Sequence, residues 1–147
     1  MMRYVRAFFV TLNLMRRGVK PAPVRHAALF AWMNETRVLA DQALGAADAA
    51  GLGSEQRKTL KVRVDGRAVS MESVLAGVRY HAAEEFPYLM SHETEHSLTA
   101  IRATNLNDVY ALGRIAELPE SAPIQSPLNT LKTHLEQIPE SVNSAKS

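Results

Sequence analysis

Apolar side chains recur three or four positions apart through residues 4–17 and 26–50, which is the spacing of one face of a helix. The first stretch ends at Gly18 and the second at Gly51, because glycine closes helices readily at their C-terminal ends. We therefore predict a helix in each stretch. The stripe of the first helix comprises Val5, Phe8, Phe9, Leu12 and Met15.

The pattern changes from helical spacing to alternation between residues 60 and 64, where apolar and basic side chains take turns before Asp65 and Gly66. Alternation that breaks at Asp-Gly is typical of a β-hairpin with a two-residue turn. An isolated hairpin is only marginally stable, so we expect this one to pack on the helices. A helix that ends near Lys61 before a simple turn is the alternative.

Helical spacing resumes after Ser70, a preferred N-cap residue, and we expect that helix to end near Glu85 because Pro87 cannot donate a helical hydrogen bond. The chain then reverses around residues 88–89, and a long helix follows over residues 92–118. This long helix is apolar on two sides, which is typical of a helix in the centre of a bundle. Its second apolar side is formed by Ala103, Leu106 and Tyr110.

The composition turns to Ser, Pro and Asn after Pro119, but residues 126–138 again carry a helical stripe. A helix this short is not stable alone in water, so it must dock on the domain or on a partner. We divide the chain into a basic amphipathic helix (1–20), a helical core domain (21–118) and a Pro/Ser-rich tail (119–147). The stripe of the tail helix comprises Leu128, Leu131, Leu135 and Ile138.

The composition is that of a globular protein, with 46% hydrophobic and 22% charged residues in a chain of 147. We predict a mostly α fold, a bundle of four or five helices with one small β-hairpin around Asp65-Gly66. The chain has no cysteine, which excludes disulfides, thiolate nucleophiles and Cys-ligated metals. A cysteine-free chain fits the reducing cytoplasm, and we predict a cytoplasmic protein, with the cytoplasmic face of a membrane as a more specific location.

Basic residues are concentrated at two places, although the net charge is only +2. The first 25 residues hold six Lys and Arg and no acid. A basic amphipathic helix over residues 3–17 indicates either binding to an anionic membrane surface or packing on the bundle as its first core helix. The second cluster, within residues 57–67, lacks interleaved aromatic residues, which argues against nucleic-acid binding.

Residues 92–96 read His-Glu-Thr-Glu-His and match the H-E-x-x-H motif of zinc peptidases. Three features argue against a peptidase. Glu95 is charged where that motif prefers an uncharged residue, the motif falls in the first turn of its helix, and no downstream histidine stands at the spacing of a third ligand.

The strongest candidate for a functional site is a histidine and glutamate cluster. His81 and Glu85 are four residues apart, and a reversal at residues 88–89 would place Glu85 opposite His92 and His81 opposite His96. Three imidazoles and a carboxylate suit a divalent metal, namely Zn, Fe, Mn or Ni. The alternatives are an ion-pair and hydrogen-bond cluster without metal, and a solvated face.

Short polar residues interrupt the long helix at 105–108, where we expect a satisfied polar layer, paired with Arg102 or Arg114. Taken together, the sequence predicts a small helical accessory or interaction protein, peripheral to a membrane or a subunit of a larger complex. Its expected partner is another protein, a second copy of the chain, or an anionic membrane surface that binds residues 3–17. The alternative is a metal-binding protein or metal-dependent enzyme that uses the His/Glu cluster.

Overall fold

The computed structural model describes residues 26–92 and 95–139, so the helix predicted over residues 4–17 lies outside the described residues. The first described helix, α1, spans Ala27–Ala49. It ends as the sequence predicts, because Gly51 takes a left-handed conformation (φ 81°) and the N–H of Leu52 bonds to the carbonyl of Ala47 at 2.8 Å. This pairing is the Schellman arrangement of a glycine-closed helix.

The predicted β-hairpin is confirmed. A short helix, α2 (Ser54–Thr59), precedes strand β1 (Lys61–Val64), which pairs antiparallel with β2 (Arg67–Ser70). Asp65 and Gly66 both have positive φ angles, 51° and 78°, as a type I′ turn requires. The hairpin packs on the helices, with Val62 and Val64 of β1 buried in the core.

One member of the predicted basic cluster serves the interior rather than the surface. Arg57 on α2 is only 5% exposed. Its Nη1 lies 2.6 Å from Oδ1 of Asp48, and its Nε lies 2.6 Å from Oε1 of Glu72. These ion pairs fasten α2 to the end of α1 and to the helix that follows the hairpin.

The helix that begins at Ser70 does not stop at Pro87, so that prediction is wrong. Helix α3 (Met71–Tyr80) passes into a π-helical turn (His81–Glu85) and then into α4 (Phe86–Ser91) without a break. The N–H of Phe86 bonds to the carbonyl of His81, five residues back, so the helix widens immediately before Pro87. The chain reverses only after Ser91, between α4 and α5 (Glu95–Ala116).

The spacing of the core residues explains the π-helical turn. On a regular α-helix a step of four residues rotates about 40° beyond a full turn, so three such steps drift by about 120°. The π-helical turn absorbs one residue and brings the last two positions back to the core. The buried side chains that follow this spacing are Val78, Ala82, Phe86 and Met90.

The tail helix is present as α6 (Gln125–Glu136), after a 3₁₀ segment (Pro119–Ile124). It packs on α1 and α5, with Leu128, Leu131 and Leu135 buried. In turn α1 also packs on α3, and α5 on α3 and α4, so the four long helical segments enclose one core.

The predicted fold class is thereby confirmed as a mostly α bundle with one small hairpin. The second apolar side of α5 is not packed, however, because Leu106 is 59% and Tyr110 is 53% exposed. The expectation that this second side packs in the bundle is therefore wrong, although α5 itself packs on α3, α4, α6 and β1. Within residues 26–92 and 95–139, every helix is too short or too polar to cross a membrane.

Candidate functional site

His81 opens the π-helical turn and faces α5 across the helical hairpin. Its Nδ1 lies 2.8 Å from Oδ2 of Asp108, and its Nε2 lies 3.5 Å from Oε2 of Glu85. Asp108 is buried in α5, whereas Glu85 is partly exposed at the end of the turn. The imidazole therefore stands between two carboxylates, one on each side of its ring.

The two carboxylates determine the charge of His81. Burial lowers its pKa, but the hydrogen bond to Asp108 and the charges of Asp108 and Glu85 outweigh burial, so the pKa of His81 lies above the usual 6.5. Burial raises the pKa of Asp108 above its usual 3.8, and Glu85 adds to the rise, while His81 opposes it. In the pH range between these two titrations, the imidazolium and the carboxylate of Asp108 form an interhelical ion pair.

The predicted assembly of four site residues is only half present. His81 and Glu85 lie together, as their spacing predicted. Glu85 and His92 cannot face each other across a hairpin, because the helical segment that starts at Met71 reaches Ser91, with His92 as its C-cap residue. His81 faces Asp108, which is about 18 Å further along α5 than His96 at 1.5 Å per residue.

The other two predicted residues lie near the chain reversal. His92 is exposed, and its Nδ1 lies 3.2 Å from the carbonyl oxygen of Tyr88 and 3.0 Å from Oγ of Ser91. The rings of Tyr88 and His92 are 4.7 Å apart. His96 is exposed in the first turn of α5. Glu93 and Thr94, the middle of the H-E-x-x-H sequence, lie outside the described residues.

The chain-reversal geometry that suggested a metal site is therefore wrong. In the part of the chain that the structure describes, no three His, Asp or Glu side chains are arranged to hold a metal ion. In this arrangement Nδ1 of His81 bonds to Asp108 and its Nε2 lies 3.5 Å from Glu85, so the neighbours of the ring are carboxylates and not the other two predicted histidines. Binding of a divalent metal by the four predicted residues stays a prediction.

A cleft of about 210 Å³ lies beside the ion pair, between the hairpin, α3 and α5. Gly77 exposes one edge of the imidazole to it, since a Cβ at this position would lie 3.9 Å from Cε1 of His81. Its apolar lining includes Val64, Val69 and Val74. Its polar lining consists of Asp65, Arg67, Ser73, His81, Asn107 and Asp108.

The outer side of the same helical segment carries exposed aromatic residues. Tyr80 and Tyr88 are 54% and 65% exposed, and the exposed Glu84 lies midway between them in sequence. We call these three residues the tyrosine face. The core residues Ala82, Phe86 and Met90 on the opposite side of the segment fix its position in the bundle.

Asp108 is the member of the candidate site whose partner was not predicted. Asp108 lies three residues after Asn105 on the buried side of α5. This helical spacing was the signal in the sequence that Asp108 faces another helix. The expected arginine partners are wrong: Asp108 binds His81, and Nδ2 of Asn105 donates to the carbonyl oxygen of Leu135 at 2.9 Å. Arg114 instead pairs with Glu117.

Comparisons with protein-family models, with curated proteins and with solved structures find no match to this chain.

Proposed function

We propose that this protein is an interaction protein that binds a basic segment of its partner on the tyrosine face. The observation that carries the proposal is the exposure of more than half of both Tyr80 and Tyr88 around Glu84. Large aromatic side chains are enriched where proteins bind one another, and tyrosines supply much contact area with few rotatable bonds.

The charge around the tyrosine face selects the kind of partner. Residues 80–92 contain no Lys or Arg, and Glu84 is the exposed carboxylate between the two tyrosines, whereas Glu85 lies 3.5 Å from the imidazole of His81. The preceding base, Arg79, is turned toward α1, where its Nε lies 2.5 Å from Oδ1 of Asp41. An acidic surface of this kind favours a partner with arginine or lysine, and arginine also stacks on tyrosine rings.

The position of the tyrosine face on a packed helix supports recognition without rearrangement. Phe86 is 2% exposed and its ring stacks on Trp32 of α1, with 6.4 Å between the ring centroids. The backbone that carries Tyr88 is thus held by the core. A partner would not need to order this helix on binding, which lowers the entropic cost of association.

The proposal is tested with a fluorescently labelled helical peptide of alternating leucine and arginine turns, and with the same peptide carrying glutamate for arginine. We expect the fluorescence anisotropy of the basic peptide, and not that of the acidic one, to rise when the protein is added. Added salt should reduce this rise because it screens the charges. Tyr88→Ala and Glu84→Gln should each weaken binding at least about fivefold, as for residues in the centre of an interface.

Asn129→Ala is the matched control, because Asn129 is exposed on α6, a helix that packs mainly on α1 and α5. It should leave the affinity unchanged. Binding of equal strength by wild type and Tyr88→Ala, or by the basic and the acidic peptide, would contradict the proposal.

A further inference from the structure

We infer that the chain's own basic N-terminal segment, residues 3–17, occupies the tyrosine face. This inference rests on the proposed function and names the occupant of the same surface. Residues 1–25 precede the first described residue, His26. They contain Arg3, Arg6, Arg16, Arg17, Lys20 and Arg25 and no acidic residue.

This segment joins the described fold beside the helix whose outer side carries Tyr88. His26 immediately precedes α1, and α1 packs on the π-helical turn and on α4. Trp32, in the second turn of α1, stacks on Phe86 of α4. The N-terminal segment therefore enters the fold beside the helix that carries Tyr88.

The length of the connection is sufficient. Residues 18–25 are eight residues, which span up to about 26–29 Å when extended. Tyr80 and Tyr88 are separated by only about 12 Å along the helix axis at 1.5 Å per residue. A helix with its side chains is about 10–12 Å across, so a linker of this length can pass around α4 from the side of α1 and bring residues 3–17 to the tyrosine face.

The two surfaces complement each other in charge and in apolar character. The segment carries bases beside an apolar stripe that includes Phe8 and Leu12, and the tyrosine face offers Glu84 between two aromatic rings. The exposed row on α5 fits less well, because Arg102 lies one helical turn before Leu106 and would repel a basic segment.

Occupation of the tyrosine face by residues 3–17 makes binding of an external partner competitive. A partner must then displace a segment tethered to the same chain, whose effective concentration is in the millimolar range for a short linker. Loss of the segment's positive charge should open the tyrosine face to external basic peptides.

The first measurement locates the segment in the full-length chain. Since the chain has no cysteine, Asn13→Cys provides a single site for a nitroxide spin label. We expect the label to broaden the amide NMR signals of residues 80, 84 and 88, and to do so less in a variant with Arg3, Arg6, Arg16 and Arg17 changed to Glu. Asn129→Cys, labelled in the same way, should leave these three signals sharp.

The second measurement separates this inference from the proposed function. The charge-reversed variant should bind the labelled basic peptide at least about tenfold more tightly than wild type, because the tethered competitor is lost. Equal affinities, with no broadening at the tyrosine face, would overturn the inference and leave the proposed function standing. Absence of peptide binding by both proteins would contradict the proposed function, and the location of the label would then decide the inference alone.

Two other occupants give different results. Two mixed samples test for a second copy. In the first, ¹⁵N-labelled protein without a nitroxide is mixed with unlabelled protein that carries the nitroxide; in the second, protein that carries both labels is diluted into an excess of unlabelled protein without a nitroxide. If the first sample shows the broadening and the second does not, the occupant is a second copy of the chain. If the amide signals of residues 80, 84 and 88 stay sharp and the protein sediments with phosphatidylserine vesicles, residues 3–17 bind membranes. Either result overturns the inference.

Discussion

We call the leucine row of α6 (Leu128, Leu131 and Leu135) the seam. The seam and the tyrosine face of α3 and α4 are both rows of large side chains at helical spacing, yet only the seam is buried. Leu128, Leu131 and Leu135 on α6 are at most 1% exposed, whereas Tyr80 and Tyr88 are more than half exposed. The seam has α1 and α5 as neighbours within the described residues. The tyrosine face lies on the side of its helical segment that is opposite the core.

The side-chain chemistry of the two rows accounts for this difference. A leucine stabilises the fold only when it leaves water, and a row of exposed leucines promotes aggregation. A tyrosine combines an apolar ring with a hydroxyl that water satisfies, so an exposed tyrosine is tolerated in the free protein and is still available to a partner. The seam therefore stabilises the domain, and the tyrosine face is suited to recognition.

The largest effect is expected from breaking the seam. Leu131→Asp buries a carboxylate without a partner and removes a side chain that is 0% exposed, and it should lower the free energy of unfolding by at least about 3–5 kcal/mol. Urea denaturation followed by circular dichroism measures this loss. Asn129→Asp places the same charge at an exposed position of α6 and should change stability by less than about 0.5 kcal/mol.

An equal, small effect of Leu131→Asp and Asn129→Asp would show that α6 does not hold the domain together. The comparison between the seam and the tyrosine face would then fail, since neither row would matter for stability.

The seam was predictable from the sequence because its cues are local. A leucine every three or four residues, between two prolines, defines both the helix and the face that it buries. The hairpin was predictable for the same reason, since Asp65 and Gly66 are the residues that a type I′ turn needs. For such elements, a few neighbouring residues contain the whole argument.

The candidate site was less predictable because two local cues conflict at Pro87. Proline indicates the end of a helix, whereas the row of Val78, Ala82, Phe86 and Met90 continues past it. The π-helical turn reconciles the two, and it moves the chain reversal beyond Ser91. The partner of His81 then changes from His96 to Asp108, which no local pattern near His81 could indicate.

A smaller effect is expected from the ion pair that joins the two sides of the helical hairpin. Asp108→Asn keeps the shape of the side chain and removes its charge, and it should cost about 1–3 kcal/mol when His81 is protonated. The variant should also lower the pKa of His81, because the hydrogen bond to the Asp108 carboxylate raises it. The pKa is measured from the ¹H NMR shifts of the imidazole.

The pH dependence of stability follows from the raised pKa values. A histidine with a raised pKa in the folded state contributes stability that is fully present below 6.5 and is lost as pH rises through the folded pKa. Asp108, raised above 3.8, acts in the same direction in the lower range. Wild type should therefore lose stability as pH rises past 6.5, and Asp108→Asn should lose less. Parallel pH profiles of the two proteins would show that the pair does not control His81.

The smallest effect on stability is expected at the tyrosine face. Tyr88 is 65% exposed, so Tyr88→Ala removes few packing contacts and exposes no cavity, and the gain in helix propensity offsets part of any loss. We expect the free energy of unfolding to change by less than about 1 kcal/mol, close to the range of surface positions in general. Phe86→Ala, two residues earlier on the same helix, is the matched comparison and should cost about 3–5 kcal/mol because Phe86 is 2% exposed. Urea denaturation of both variants gives the two values.

If Tyr88→Ala were as destabilising as Phe86→Ala, Tyr88 would belong to the core. The difference between a row that stabilises the domain and a face that binds would then disappear. If residues 3–17 bind the tyrosine face, Tyr88→Ala in the charge-reversed variant should cost still less than in wild type, because the contact with the segment is already lost.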